Sequence, residues 1–258
     1  MPPQALVVNS STPLWYTTRA TGLVAMVLLT VSMACGLLSS AGYQRPDLPR
    51  FVTIGLHRNS SLLALAFTAV HVLTTVTDGF VNIPIQDAFI PFISSYRPLW
   101  LSLGAIAFDL MLALVVTSLL RSRVSYRTWR AVHWSAYACW PVALLHGLGT
   151  GTDTPVRWVL ALTVLCVAVI AALTAWRLTV GWPAHAAARV AGAVALVLAL
   201  IAGGAWLSAG PLKPDWARRS GTPPTVLQHS ALRGTTLRGT ALRGTALGRP
   251  EGSQLEPR

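Results

Sequence analysis

Acidic side chains and lysine are both scarce in this 258-residue chain: eight residues are Asp or Glu, and Lys213 is the sole lysine. Charged residues make up 11% of the sequence, against about a quarter in an ordinary globular domain. So thin a polar complement points away from a water-soluble fold. The net charge of +12 is carried by arginine. Those arginines flank apolar stretches, which favours the cytoplasmic membrane surface and lipid phosphates over nucleic acid; nucleic acid is not expected as a partner. Cysteine is sparse as well. Cys35, Cys139 and Cys166 all lie inside apolar runs, so no disulfide framework is expected. The N-terminus lacks a basic region and a cleavage site ahead of the first apolar run, so no removable signal peptide is expected.

What the chain has in quantity is hydrophobic length, at 53% of residues. Six apolar windows stand out: 21–42, 52–76, 98–120, 129–148, 156–176 and 184–208. Each has about 20 residues or more, enough to cross a hydrocarbon core roughly 30 Å thick. The links between them are short and carry proline, glycine and charge, such as YQRPDLPR, RSRVSYR and GTGTDTPVR. The expectation is an all-α membrane protein. A six-transmembrane-helix bundle over residues 19–210 follows an N-terminal extension, 1–18, and precedes a disordered basic C-terminal tail, 211–258. Within that tail ALRGTTLRGTALRGTALGR repeats a Leu-Arg-Gly-Thr unit with no periodic apolar face, the composition of a chain that does not bury a core.

Arginine also sets the expected orientation. Arg121, Arg123, Arg127 and Arg130 crowd the third link, with Arg45 and Arg50 in the first and Arg177 and Arg189 near the fifth. Those links should be cytoplasmic, leaving Asp78, Asp87 and Asp153 outside, in a multi-pass protein of the cell membrane. The tail is basic too, but long tails translocate largely regardless of charge.

Four of the six histidines fall in two of the windows: His57 and His71, 14 residues apart, and His133 and His146, 13 apart. Along a helix each pair is separated by roughly 20 Å. If the two helices run parallel, His57 meets His133 at one depth and His71 meets His146 at the other. Ionisable groups at membrane depth are costly and usually mark function. Two facing imidazoles complete the axial set of a six-coordinate haem iron, and two stacked haems would carry electrons across a membrane. With no C-x-x-C-H attachment motif, such haem would be held non-covalently, as two b-type haems. One geometric objection exists: 13 residues leave His146 roughly 140° from His133 around an ideal helix, and a kink at Pro141 is the expected remedy. The competing readings are packed, hydrogen-bonded histidines, or zinc or copper, although two imidazoles make a poor zinc site.

Arg58, Arg127 and Arg130 are candidates to bind haem propionates at the level of His57 and His133, or else they snorkel to lipid headgroups. Trp129, Trp134, Tyr137 and Trp140 line the macrocycle or simply pack. Asp109, mid-window, is either a proton site or a hydrogen-bond partner for a neighbouring helix; the second is preferred.

The runs LHRNSSLLALAFTAVHVL and WRAVHWSAYACWPVALLHGLGTGTD resemble the ferric reductase-like transmembrane domain, the haem membrane domain of ferric reductases and NADPH oxidases. The resemblance covers about residues 15–180. It implies a six-helix bundle with two b-type haems on parallel helices, ligated by His57 with His133 and by His71 with His146. The flavin and nicotinamide domain usual in those oxidases has no counterpart in the tail. The implied function is therefore an oxidoreductase component that works with partners. It would take electrons from a separate flavoprotein or quinol and pass them to an extracytoplasmic acceptor such as a flavin-binding protein. The alternative is a haem-free membrane scaffold or proton-pathway protein that keeps the same bundle.

Overall fold

The computed structural model describes residues 13–43, 49–79 and 81–228. Arg45 and the Leu-Arg-Gly-Thr repeat lie outside the described residues. Helices run α1 (Pro13–Ser40), α2 (Arg50–Thr77), α3 (Pro98–Leu119), α4 (Tyr126–Trp134), α5 (Ala136–Thr150), α6 (Arg157–Thr179), α7 (Ala186–Ala209) and α8 (Trp216–Arg219), with one 3-10 turn at Ile85–Ala88. Among the described residues there is no strand.

Five helices (α1, α2, α3, α6 and α7) are long and apolar enough to cross a membrane. The fourth window is two helices rather than one. The break falls at Ser135, and Pro141 sits inside α5, so the expected kink is displaced by six residues. The cause is local: the Ser135 hydroxyl and the Ser135 amide both bond to the Val132 carbonyl, which tightens the turn and competes with the regular ladder.

Local signals fix the other ends. Gly42, at φ +69°, accepts the left-handed conformation that closes α1, and the Tyr43 amide returns to the Leu38 carbonyl. Pro98 opens α3, and the Ser125 hydroxyl caps α4 by accepting from the Thr128 amide at 3.1 Å. Hydroxyls inside the apolar helices satisfy themselves against their own backbone, as Thr30 does on the Met26 carbonyl and Thr74 on Val70.

Helices α1 and α2 form the most extensive pair, and α3 packs on α5. Small buried residues let them approach: Ala64 and Cys139 pack with Phe108 and Met111, and Ala105 and Ala107 are buried on α3. Outside this seam the bundle presents Leu73, Leu119, Val197 and Ile201 to its surroundings, as a lipid-facing surface does. α7 leans on α6 and has no buried residue.

The segment after α7, expected to lack structure from Pro211, folds back in its first part. α8 follows, and the Trp216 ring stands against Trp100 of α3 and Trp206 of α7, with centroids 5.3 and 5.9 Å away. Helix α1 likewise starts at Pro13, inside the stretch assigned to the N-terminal extension.

Candidate functional site

The antiparallel seam of α1 on α2 turns two α2 histidines inward. The Nδ1 of His57 donates to the Ser32 carbonyl at 2.8 Å, and that of His71 to the Thr18 carbonyl at 2.7 Å. A carbonyl can only accept, so the proton is on Nδ1 and Nε2 is left free. His146 of α5 is held the same way by the Trp100 carbonyl of α3, at 2.9 Å. Such second-shell bonds orient an imidazole and raise its basicity as a metal ligand. His133 differs, since its buried Nδ1 has no hydrogen-bond partner among the described residues and its ring stacks on Trp129 at 4.8 Å and 20°.

The four rings meet as two pairs. His57 faces His133 with centroids 6.1 Å apart, and His71 faces His146 at 6.4 Å. Two imidazoles sharing one metal through Nε2, with bonds of about 2.0–2.1 Å and the ring centre about 1.1 Å behind each nitrogen, would have centroids roughly 6.3 Å apart. Both pairs match that spacing. Glycines make room for the rings. A Cβ on Gly104 would lie 2.5 Å from His146 Cε1, and one on Gly22 3.0 Å from His71, whereas one on Gly36 would sit 3.6 Å from His57.

A cavity of about 390 Å³ opens around the second pair, within the range of ligand pockets. His71, His146, Gly22, Gly104, Arg19 and Asp87 are among its walls. Arg19 is tied to Asp153 and Thr152 and lies over the Trp15 ring at 4.0 Å. The cavity is mostly apolar with a few polar groups, a character suited to a porphyrin. No group of three or more His, Cys, Asp or Glu among the described residues could hold a metal ion. The donor set is therefore two imidazoles per level, which fits haem iron and leaves a zinc ion short of its usual four ligands.

The arginine candidates are less engaged. Arg58, Arg127 and Arg130 are exposed at the end of the bundle nearest His57 and His133, and none has a carboxylate in ion-pair range among the described residues. Trp140 is buried and donates to Thr30, which makes it a core residue and not a macrocycle wall, while Trp134 and Tyr137 are exposed. Asp109 is half-buried with no hydrogen-bond partner among the described residues, against the preference for a helix-bridging role.

Sequence reading missed Arg97. It is 2% exposed, in the left-handed region at φ +43°, just before Pro98. Its Nε donates to Thr222 Oγ1 at 2.9 Å, and its Nη1 donates to the carbonyls of Gly149 and Thr150 at 3.1 and 3.0 Å. Burial pushes its pKa below the usual arginine value, with Tyr96 opposing. The guanidinium thus plugs the C-terminal end of α5, four residues beyond His146, where carbonyls are unsatisfied and the helix dipole is negative. Trp216 donates to the same Gly149 carbonyl at 3.0 Å. The sequence hint was an arginine directly ahead of a helix-opening proline, an unspecific one. The glycines opposite the histidines were also visible, as lone glycines in apolar helices, which usually have a packing reason.

The family described as ferric reductase like transmembrane component matches residues 21–144. Over that stretch, just under half of the chain, the sequence is similar to the ferric reductase-like transmembrane family. His57, His71 and His133 lie within the match, and His146 lies two residues beyond it. No curated protein and no solved structure matches the chain. Ferric reductase-like domains bind haem and suggest transmembrane electron transfer, and together with the apolar helices they mark a multi-pass membrane protein.

Proposed function

We propose that this ferric reductase-like chain is a transmembrane electron-transfer subunit holding two b-type haems, one between His57 and His133 and one between His71 and His146. The observation that carries this reading is the pair of facing imidazoles at two levels, 6.1 and 6.4 Å between centroids. When bound, each haem supplies a reversible one-electron couple at its iron.

The protein's own contribution is positional. Ser32, Thr18 and Trp100 fix three of the four rings through main-chain carbonyls, so little reorganisation accompanies a change of charge at the ligand. With two protein imidazoles at each level to hold it, a bound haem would have no need of an external ligand, which would favour outer-sphere transfer.

The α4–α5 pair serves as one broken membrane crossing, giving six in all. Positive-inside bias puts the link with Arg121, Arg123, Arg127 and Arg130 in the cytoplasm. At the opposite end Arg19 and Arg219 are neutralised by Asp153 and Asp215, and Arg97 is buried. They therefore weigh less in that balance. His57 and His133 then form the inner site, and His71 and His146 the outer. Electrons enter from a separate flavoprotein or quinol and leave to an extracytoplasmic acceptor, for which a flavin-binding protein is suited.

The test is haem stoichiometry with paired variants. A pyridine haemochrome assay should approach two haems per chain. His57→Ala and His133→Ala should lose one and the same haem, and His71→Ala and His146→Ala the other. A purified protein without a b-type spectrum would instead support a haem-free scaffold. If His57→Ala behaves like His146→Ala, the pairing is wrong.

A further inference from the structure

Three of the four imidazoles are fixed by a carbonyl, and His133 is not. Its ring stacks on Trp129 and faces His57, and its buried Nδ1 has no hydrogen-bond partner among the described residues. Trp129 is in turn covered by Arg121, whose guanidinium lies 5.0 Å from the indole and 5.4 Å from the Tyr126 ring. The inner ligand therefore depends on the seating of α4.

That helix is lightly seated: the Trp129 indole donates to Ser118 of α3 across a long 3.5 Å. It is nine residues long with none buried, too short to persist in water unaided, and the Ser135 break separates it from α5. Arg121, Arg123, Arg127 and Arg130 are all exposed, and no carboxylate among the described residues pairs with them. Arg127 and Arg130 stand three residues apart on α4, a spacing at which like charges destabilise a helix. Exposed Tyr126 and Trp134 on the same helix are side chains that settle at a membrane interface. A basic, aromatic helix of this kind lies in the headgroup layer, where anionic lipid supplies the missing counter-charge.

We propose that anionic phospholipid headgroups bind the arginines of α4 and of the link before it, and that this binding holds the Trp129–His133 stack, so membrane charge controls ligation at the inner site. The proposal rests on the two-haem reading. Loss of counter-charge lets α4 lift, and His133 goes with it. His146 does not, because Trp100, Arg97 and Trp216 secure its helix independently of lipid.

The experiment uses the haem-loaded full chain in nanodiscs of phosphatidylcholine alone or with about a third phosphatidylglycerol, an anionic content at which arginine–headgroup attraction is substantial. Carbon monoxide is added after dithionite, since it binds only ferrous haem with a free axial position. In phosphatidylglycerol discs the protein should be inert to carbon monoxide. In phosphatidylcholine discs roughly half of the haem should react, being one site of two. Inorganic phosphate added to phosphatidylcholine discs should not restore inertness, which separates a lipid surface from a free anion. Trp129→Leu and Arg121→Gln should react even in phosphatidylglycerol, while Trp129→Phe, which keeps the stack, should not. His133→Ala, which loses the inner haem, should keep only a haem inert to carbon monoxide in both lipids.

Equal reactivity in the two lipids, or a reactive fraction in phosphatidylcholine discs that survives in His133→Ala, overturns the proposal. A chain that binds no haem in either lipid overturns the two-haem reading on which it rests, and the absorption spectrum alone reveals that before any gas is added.

Discussion

Replacing Arg97 by alanine removes three hydrogen bonds and leaves most of their acceptors without a donor. Gly149 keeps Trp216, but the Thr150 carbonyl and the Thr222 hydroxyl lose their partner. Each orphaned buried acceptor costs about 1–2 kcal/mol, and the lost cation at the end of α5 adds about 0.5–1 kcal/mol. Against this stands relief from burying a cation with no carboxylate beside it, which limits the total to about 3 kcal/mol. Arg97→Gly loses the same bonds but also removes left-handed strain, so it should be milder than Arg97→Ala by about 1 kcal/mol. The two variants would be compared with wild type by denaturant unfolding in one detergent. If Arg97→Ala lies within about 0.5 kcal/mol of wild type, the size of an ordinary surface change, the plug is not stabilising the outer end. If Arg97→Gly is the worse of the two, the backbone argument fails.

A methyl on Gly104 would lie 2.5 Å from His146, so Gly104→Ala should lose the outer haem and spare the inner; Gly36→Ala, at an ordinary 3.6 Å from His57, should keep both, as measured by haem content. Pro141→Ala should leave the absorption spectrum and haem content unchanged, because the break that turns the chain between His133 and His146 is at Ser135; loss of a haem would return the kink to the proline. With the three native cysteines buried, Ser125→Cys should be shielded from an impermeant thiol reagent in intact cells while Thr152→Cys reacts. The reverse pattern would exchange the inner and outer sites.

The helical windows were legible because apolar length is a strong signal, and the two imidazole levels were legible because 14 and 13 residues bring both helices to like depths. The break at Ser135 was not. Serine is unremarkable in a helix, and its hydroxyl reaching back to Val132 is a choice made among local alternatives, whereas proline is a fixed chemical obstacle that draws attention to Pro141. Position along a single helix also says nothing of which carbonyl a ring will find. The anchoring of His57, His71 and His146, and its absence at His133, emerge only when α1 and α3 are laid alongside. Arg97 was hidden for a similar reason: a lone arginine in a link reads as a solvated charge until the segment after α7 folds over it.

The two carbonyls that hold the α2 histidines, Thr18 and Ser32, are themselves 14 residues apart, the same interval as His71 and His57. Helix α1 is thus a ruler laid against α2, graduated in the same unit and read in the opposite direction. A deletion of one residue between the histidines would shift a ring by about 1.5 Å and turn it by about 100°, off its mark on the ruler. To restore register, α1 would have to lose a residue at the matching place. The interval between His57 and His71 is therefore written in both helices of this seam, and it can be rewritten there only by an edit in each.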